Sequence, residues 1–246
     1  MNTNNDIPRV IHYCWFGGKA KPDIVEKCMD SWRKHLSDYE IIEWNEDNFN
    51  LHINAYVQEA YTAEKYAFVS DYARVHALYH FGGIYLDTDV EVFKPFDDLL
   101  HHESFWGFEQ KNYIATSTIG AAKGNKLIKK FLDSYEKKVF IKEDGSLDQL
   151  TNVAIVTDLI ENLGLKRNGE YQELQHLGVF YPQTYFSPYD YINCRIFFTD
   201  ETYALHHFYK SWLPASIQFK SHIKKMLSHI IGGDNIAKLR GLYQKE

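Results

Sequence analysis

The sequence predicts an α/β layer fold, and three observations carry that expectation. Short apolar runs of strand length alternate with longer stretches whose apolar residues recur at helical spacing. The chain has 246 residues, 45% hydrophobic and 24% charged, which is enough for one large core and argues against global disorder. No internal repeat, low-complexity tract or Pro/Gly-rich linker divides it.

Each element follows in order. Val10 to Phe16 is apolar, follows Pro8 and closes on Gly17-Gly18, so it is expected as a buried first strand. Asp23 to His35 carries Ile24, Cys28 and Trp32 at helical spacing. Glu40 to Trp44 is the second strand. Ala63 to Phe81 is one long helix stopped by Gly82-Gly83, with glycine supplying a left-handed cap. Ile84-Tyr85-Leu86 is a very short buried strand. Phe105 to Phe108 and Ile114 to Thr118 are further strands. Asn125 to Lys138 and Asn152 to Leu163 are amphipathic helices, and Tyr203 to Phe208 is a late strand. From Lys220 the tail carries six basic residues, Lys220, Lys224, Lys225, Lys238, Arg240 and Lys245, against Asp234 and Glu246. It is expected as a helical segment, residues 216–246, packed on the domain of residues 1–215 or resting on anionic lipid.

Composition removes several function classes. A formal net charge of -6 argues against nucleic acid as a partner. Cys14, Cys28 and Cys194 show no CxxC spacing, which argues against a disulfide framework or a structural zinc and favours a reducing compartment. Met1 to Asp6 is polar, so no secretory signal is expected, and no apolar run approaches the ~20 residues of a membrane span. A cytoplasmic chain follows, soluble or peripheral on the inner face of the membrane. Aromatics reach 16%. They suit a rich core, and equally a site that stacks on bases and sugars.

The chemistry centres on Asp87-Thr88-Asp89. In extended backbone, residues i and i+2 point the same way, so the two carboxylates converge just past a buried strand. Open α/β sheets bind ligands at that end, and two hard oxygen donors suit Mg²⁺ or Mn²⁺. An ion held there can bridge a diphosphate and stabilise a departing nucleotide. A bare DxD is often a solvated turn; its place after Gly-Gly-Ile-Tyr-Leu sets this one apart. On the preceding helix Asp71 and Arg74 are i,i+3 neighbours beside an apolar stripe, where an ion pair is costly without a further partner or ligand. Asp71 is a candidate acceptor for sugar hydroxyls. Arg74 is a candidate for orienting Asp71 or contacting a phosphate or sugar oxygen.

Three ordered blocks carry a family resemblance. Ala67-Phe68-Val69-Ser70-Asp71-Tyr72-Ala73-Arg74, followed by His80 to Asp89, resembles the signature of glycosyltransferase family 32. The same block is similar to the glucosyltransferase domain of large clostridial toxins. Ile7 to Gly18 matches the family's opening strand, and His206-His207-Phe208-Tyr209-Lys210-Ser211-Trp212 its late His-His-aromatic block. The resemblance implies a GT-A fold, a single Rossmann-like α/β sandwich with a mixed sheet. It also implies a retaining transfer from a UDP-sugar with Mn²⁺ or Mg²⁺. By position, Ile11, His12 and Trp15 would cradle the nucleotide, with Trp15 on the base. Asp71, Arg74 and Tyr85 would hold the donor sugar. Asp87 and Thr88 would face sugar, ribose or metal, and Asp89 would bind metal. One of His206 and His207 would complete the metal shell, with the preference on His207. Ser211 and Trp212 would close over the diphosphate. No carboxylate nucleophile stands out, which is compatible with same-face attack.

Asp148-Gln149-Leu150-Thr151-Asn152 lies where related enzymes place polar residues near the anomeric carbon. It also suits a turn and an N-cap, with Thr151 or Asp148 as the cap. Asp148 and Asn152 therefore enter as candidate catalytic residues. The expected acceptor is a glycan, lipid-linked, in surface polysaccharide synthesis, with galactose, N-acetylgalactosamine and glucose open as the donor sugar. Two alternatives are a toxin-like enzyme acting on a protein and a non-catalytic nucleotide- or glycan-binding module. A nucleotidyltransferase is disfavoured, since no Gly-rich phosphate loop accompanies the carboxylates.

Overall fold

The computed structural model describes residues 6–110, 112–191 and 193–209. The tail expected over 216–246 lies outside the described residues. In chain order the elements are β1 (Val10–Cys14), α1 (Asp23–His35), β2 (Glu40–Trp44), α2 (Ala55–Thr62), α3 (Tyr66–Phe81), β3 (Gly83–Leu86) and β4 (Val90–Val92). Then come β5 (Ser104–Glu109), β6 (Tyr113–Ile114), β7 (Thr118–Ala121), α4 (Lys126–Asp133) and α5 (Asn152–Glu161). β8 (Gln172–Leu174), β9 (Gly178–Tyr181), α6 (Gln183–Phe186), β10 (Tyr189–Asp190), β11 (Arg195–Ile196) and β12 (Ala204–His206) complete the series.

The main sheet is mixed, in the order β2-β1-β3-β7-β5-β9-β8, with β6 paired to β5. β2, β1 and β3 run parallel; β7 is antiparallel to both β3 and β5; β9 is parallel to β5. The α/β class with a mixed sheet is what the structure shows. Strand alternation builds one core on each face. Ile11, Tyr13, Ile84 and Leu86 point to the side covered by Trp32 of α1. Cys14 and Tyr85 point to the side covered by α2 to α5. A separate antiparallel ribbon joins β4 to β12, with His206 opposite Val90. The Trp32 indole N–H donates to the Val90 carbonyl at 2.7 Å and fixes α1 to that ribbon.

α1 and β2 have the predicted boundaries. In α1 the acidic first turn (Asp23, Glu26) and basic last turn (Arg33, Lys34, His35) complement the helix dipole. Most other boundaries move by one or two residues, and three differ by more. The helix expected from Ala63 begins at Tyr66, because Glu64 takes φ 56° and Lys65 N–H returns to the Ala60 carbonyl, closing a separate α2 capped by Asn54. The strand expected over Ile114 to Thr118 is two strands. β6 pairs with β5, and the chain then crosses through Ala115–Ser117 to insert β7 between β3 and β5. The helix expected to reach Lys138 ends at Asp133, after which the bonds tighten to i→i+3.

The Gly82-Gly83 stop is present with a different geometry. Gly82 has φ 70° but ψ -175°, so the chain leaves α3 extended rather than through a left-handed turn. A Cβ on Gly83 would lie 2.6 Å from the Val10 carbonyl, so glycine lets β3 start close against β1. Gly120 answers a similar demand, since its Cβ would lie 2.0 Å from the Phe105 ring, itself packed between Phe96 and Phe186. Gly120→Ala is therefore expected to cost about 1–3 kcal/mol. The midpoint of urea unfolding checks this, with the slope unchanged.

Candidate functional site

The carboxyl end of β3 delivers Asp87, Thr88 and Asp89 into the link to β4. That link is a turn, not extended backbone: Val90 N–H donates to the Asp87 carbonyl at 3.0 Å. The i, i+2 alternation expected there does not apply, yet the carboxylates converge. Ligand atoms of Asp87, Asp89 and His206 all lie within 4.8 Å of one another. The β4–β12 register causes this, by setting His206 opposite Val90.

His206, not His207, faces the aspartates. His206 Nε2 stands 3.4 Å from Asp89 Oδ1, whereas His207 Nε2 is 2.8 Å from Glu91 Oε2, which also pairs with Lys27. Adjacent residues at a strand end point to opposite sides, so only one can reach the turn. Asp89 is further held by the Tyr209 N–H on Oδ2 at 2.6 Å. Burial alone would raise Asp89, but the His206 charge and that N–H outweigh it and hold its pKa down. Burial alone would lower His206, but Asp89 outweighs it and raises it to about 9. His206 Nδ1 is enclosed without a hydrogen-bond partner among the described residues. Two carboxylates and an imidazole form a donor set that fits Mn²⁺ or Mg²⁺.

Asp87 links this group to a second one under α3. Arg74 is buried, and each of its three guanidinium nitrogens is engaged. Its Nη2 donates to Asp71 Oδ1 (2.9 Å), its Nη1 donates to the Thr116 carbonyl (2.8 Å) and lies 3.1 Å from Asp87 Oδ1, and its Nε donates to the Ser70 carbonyl. The guanidinium sits 4.5 Å from the centre of the Tyr85 ring, and the Tyr85 hydroxyl donates to Asp87 Oδ1 at 3.0 Å. Asn152, first residue of α5, donates from Nδ2 to Asp71 Oδ1 at 2.7 Å and accepts from the Thr116 hydroxyl at 3.0 Å. Desolvation, with the nearby Asp87 charge, raises Asp71 to about 6 against the lowering pull of Arg74 and Lys138. Oδ1 of Asp71 is thus occupied twice. Its Oδ2 has no partner among the described residues and is not sealed in, so it is the oxygen left for a ligand.

The structure therefore brings together Asp71, Arg74, Tyr85, Asp87, Asp89, Asn152 and His206, with Thr88 in the turn between the aspartates. Other expected residues lie elsewhere. Ile11 is fully buried against the α1 side, because β1 is an interior strand. His12 is also buried and serves the core: its Nδ1 accepts from the Trp44 indole N–H (3.1 Å) and its Nε2 bonds the Gly82 carbonyl (2.7 Å). Those two bonds fix the proton on Nε2. Neither residue can cradle a nucleotide. Trp15 is half-buried just past β1, at the same sheet end as Asp87, with its indole N–H on the Lys19 carbonyl. Asp148 does not cap α5; Thr151 does. Asp148 pairs instead with Lys138 at 3.0 Å and accepts from Leu150 N–H. Ser211 and Trp212 lie outside the described residues. Thr116 is the site residue the sequence did not reveal. Its only signal is the hydroxyl run Thr116-Ser117-Thr118 inside an otherwise small, apolar stretch.

A surface cleft of about 260 Å³, lined by His101, His102, Glu173 and His176 among others, sits at the opposite end of the strands, where β5 and β9 begin. It is not part of this cluster. The three cysteines are free, and no helix among the described residues is long and apolar enough to cross a membrane.

Residues 22–106 match a family model described as the glycosyltransferase sugar-binding region containing the DXD motif. Two similar proteins are inositol phosphoceramide mannosyltransferases of Schizosaccharomyces pombe. Mannosyltransferase 3 is 28% identical over 135 residues, covering 50% of this chain and 36% of that protein. Mannosyltransferase 1 is 30% identical over 110 residues, covering 40% and 33%. The chain thus spans about a third of the length of these relatives. The Legionella pneumophila protein named subversion of eukaryotic traffic protein A is 33% identical over 86 residues, 32% of this chain and 13% of that one. Among solved structures, one titled PaToxG glycosyltransferase aligns with a TM-score of 0.47 at 20% identity, covering 64% of this chain and 69% of that chain.

Proposed function

We propose that this chain, whose residues 22–106 match the model of a glycosyltransferase sugar-binding region of the DXD type, is a divalent-metal-dependent transferase. It moves a hexose or N-acetylhexosamine from a nucleoside diphosphate sugar to a glycan acceptor. The observation that carries this is the joined cluster of Asp87, Asp89 and His206 with Asp71, Arg74 and Asn152 at the carboxyl end of β3.

Asp87, Asp89 and His206 would hold Mn²⁺ or Mg²⁺, which supplies positive charge against a diphosphate leaving group. Asp71 presents Oδ2 to the hydroxyls of the donor sugar. Each guanidinium nitrogen of Arg74 already bonds the protein, so its main work is to hold the two aspartates in place rather than to grip a phosphate. Trp15, at the same sheet end, offers its ring to the base. Retention of anomeric configuration follows from the family resemblance, and the anomeric proton coupling of the product tests it; an inverted linkage would remove it. The names of the two yeast relatives add mannose to the candidate sugars and favour a lipid-borne acceptor. The resemblance of the Asp71–Asp89 block to toxin glucosyltransferase domains keeps a protein acceptor as the second possibility.

The direct test is thermal stabilisation by a panel of UDP-glucose, UDP-galactose, UDP-N-acetylgalactosamine and GDP-mannose with Mn²⁺. At least one should raise the melting temperature only when metal is present. A flat response to all four, with and without metal, would contradict the proposal.

Asp71→Asn separates stability from activity. The folded carboxyl is raised to about 6 from its ordinary 3.8, so ionised Asp71 costs stability above that window and the cost vanishes below 3.8. The amide removes this cost, so the melting temperature should change little. Donor turnover should fall roughly 100-fold, since the acceptor for sugar hydroxyls is lost. In the wild type, turnover should decline as pH falls through about 6, where Asp71 takes up its proton.

A further inference from the structure

We propose that Thr116 is a positioning residue that sets which oxygen of Asp71 meets the donor sugar, an inference that rests on the transferase function proposed above. Its place comes from topology. Ala115–Ser117 is the short crossover between β6 and β7, and it carries Thr116 beneath both α3 and the start of α5.

Asp71 Oδ1 receives two hydrogen bonds, one from Arg74 and one from Asn152. Thr116 grips both donors, through different atoms. Its main-chain carbonyl accepts Arg74 Nη1 at 2.8 Å, and its hydroxyl donates to Asn152 Oδ1 at 3.0 Å. All four residues are at most 9% exposed, so water does not compete for these bonds.

The hydroxyl matters because a carboxamide has two ends of nearly equal shape and opposite polarity. With Asn152 Oδ1 bonded to Thr116, Nδ2 must face Asp71. Without that bond Asn152 Oδ1 is left buried with no donor among the described residues, and the Asp71 carboxylate alone holds the amide. An amide held at one end only can tilt, and the Asp71 carboxylate that it bonds would turn with it from its present rotamer. Oδ2 would no longer be presented to the sugar. The carbonyl grip on Arg74 is main-chain and survives any substitution, so a side-chain change isolates the amide.

The variants are Thr116→Val, which keeps shape and branching but removes the donor, and Thr116→Ser, which keeps the donor. Calorimetry in Mn²⁺ compares free UDP and GDP with UDP-glucose, UDP-galactose, UDP-N-acetylgalactosamine and GDP-mannose. For the nucleotide sugar that the wild type binds, the valine variant is expected to be roughly tenfold weaker, the size of one lost buried hydrogen bond. Affinity for the matching free nucleotide should stay within about twofold, and serine should restore the sugar-dependent part. A merely structural role would weaken nucleotide and nucleotide sugar together, or shift the melting temperature without separating them. Either result overturns the proposal, as does a serine variant that fails to restore. If the valine protein does not fold, Thr116→Ala carries the same comparison. A wild type that binds none of the nucleotide sugars overturns the transferase function itself, and this inference with it.

Discussion

Asp89→Ala is expected to reduce metal-dependent donor hydrolysis by roughly 1,000-fold, the largest loss of activity from a single change in this chain. Asp89 is buried, and its carboxylate faces His206 on one oxygen and the Tyr209 N–H on the other. Asp87 cannot replace it, because Asp87 Oδ1 is already shared with Arg74 and the Tyr85 hydroxyl. Removing Asp89 also removes the charge that keeps the His206 imidazole protonated, so the histidine is expected to become neutral rather than remain a buried cation. The fold should survive with a modest loss of stability. Nucleotide release measured across an Mn²⁺ titration checks this. A variant that keeps metal-stimulated hydrolysis near the wild-type rate would remove Asp89 from the metal site.

Arg74→Met is expected to have the largest effect on stability, about 3–5 kcal/mol. Methionine fills much of the space but leaves Asp71 and Asp87 without the cation they share. Asp71 already carries a raised pKa with Arg74 present, and losing the guanidinium pushes it further in the same direction. The melting temperature should drop by roughly 6–20 °C at neutral pH. The deficit should shrink as pH falls towards about 6 and level off below it, where Asp71 is protonated with or without the cation. Arg74→Lys should not rescue, since a single ammonium cannot span Asp71, Asp87 and the Thr116 carbonyl. Unfolding curves at neutral and acid pH test both points; a deficit that does not depend on pH would mean that packing, not charge, is what Arg74 supplies.

Much of this architecture is legible in local pattern. α1 shows its period and its charge bias at both ends, so its limits can be read directly. The Asp71–Arg74 pair is legible because i,i+3 spacing on one helix is a local fact. What is not legible depends on register or on a single backbone angle. Nothing in Ala204-Leu205-His206-His207 tells which histidine lies opposite Val90; only the pairing of β12 with β4 decides it. Ile11 and His12 look like nucleotide contacts until β1 is seen to be flanked on both sides by β2 and β3. Glu64, with positive φ, ends one helix and begins another without a glycine to mark the break. Thr116 escaped for a similar reason. Its partners are 36 and 42 residues away, and only the β6–β7 crossover brings them together.

One divalent ion and a nucleoside diphosphate are expected to share the turn between β3 and β4. A crystal grown with Mn²⁺ and UDP, with data collected for manganese anomalous scattering, tests it most directly. The expected result is one peak bonded to Asp89 and His206 at about 2.1 Å, within reach of Asp87, with the diphosphate beside it. A peak at the Glu91–His207 pair, or nucleotide bound elsewhere with the turn unchanged, would contradict it.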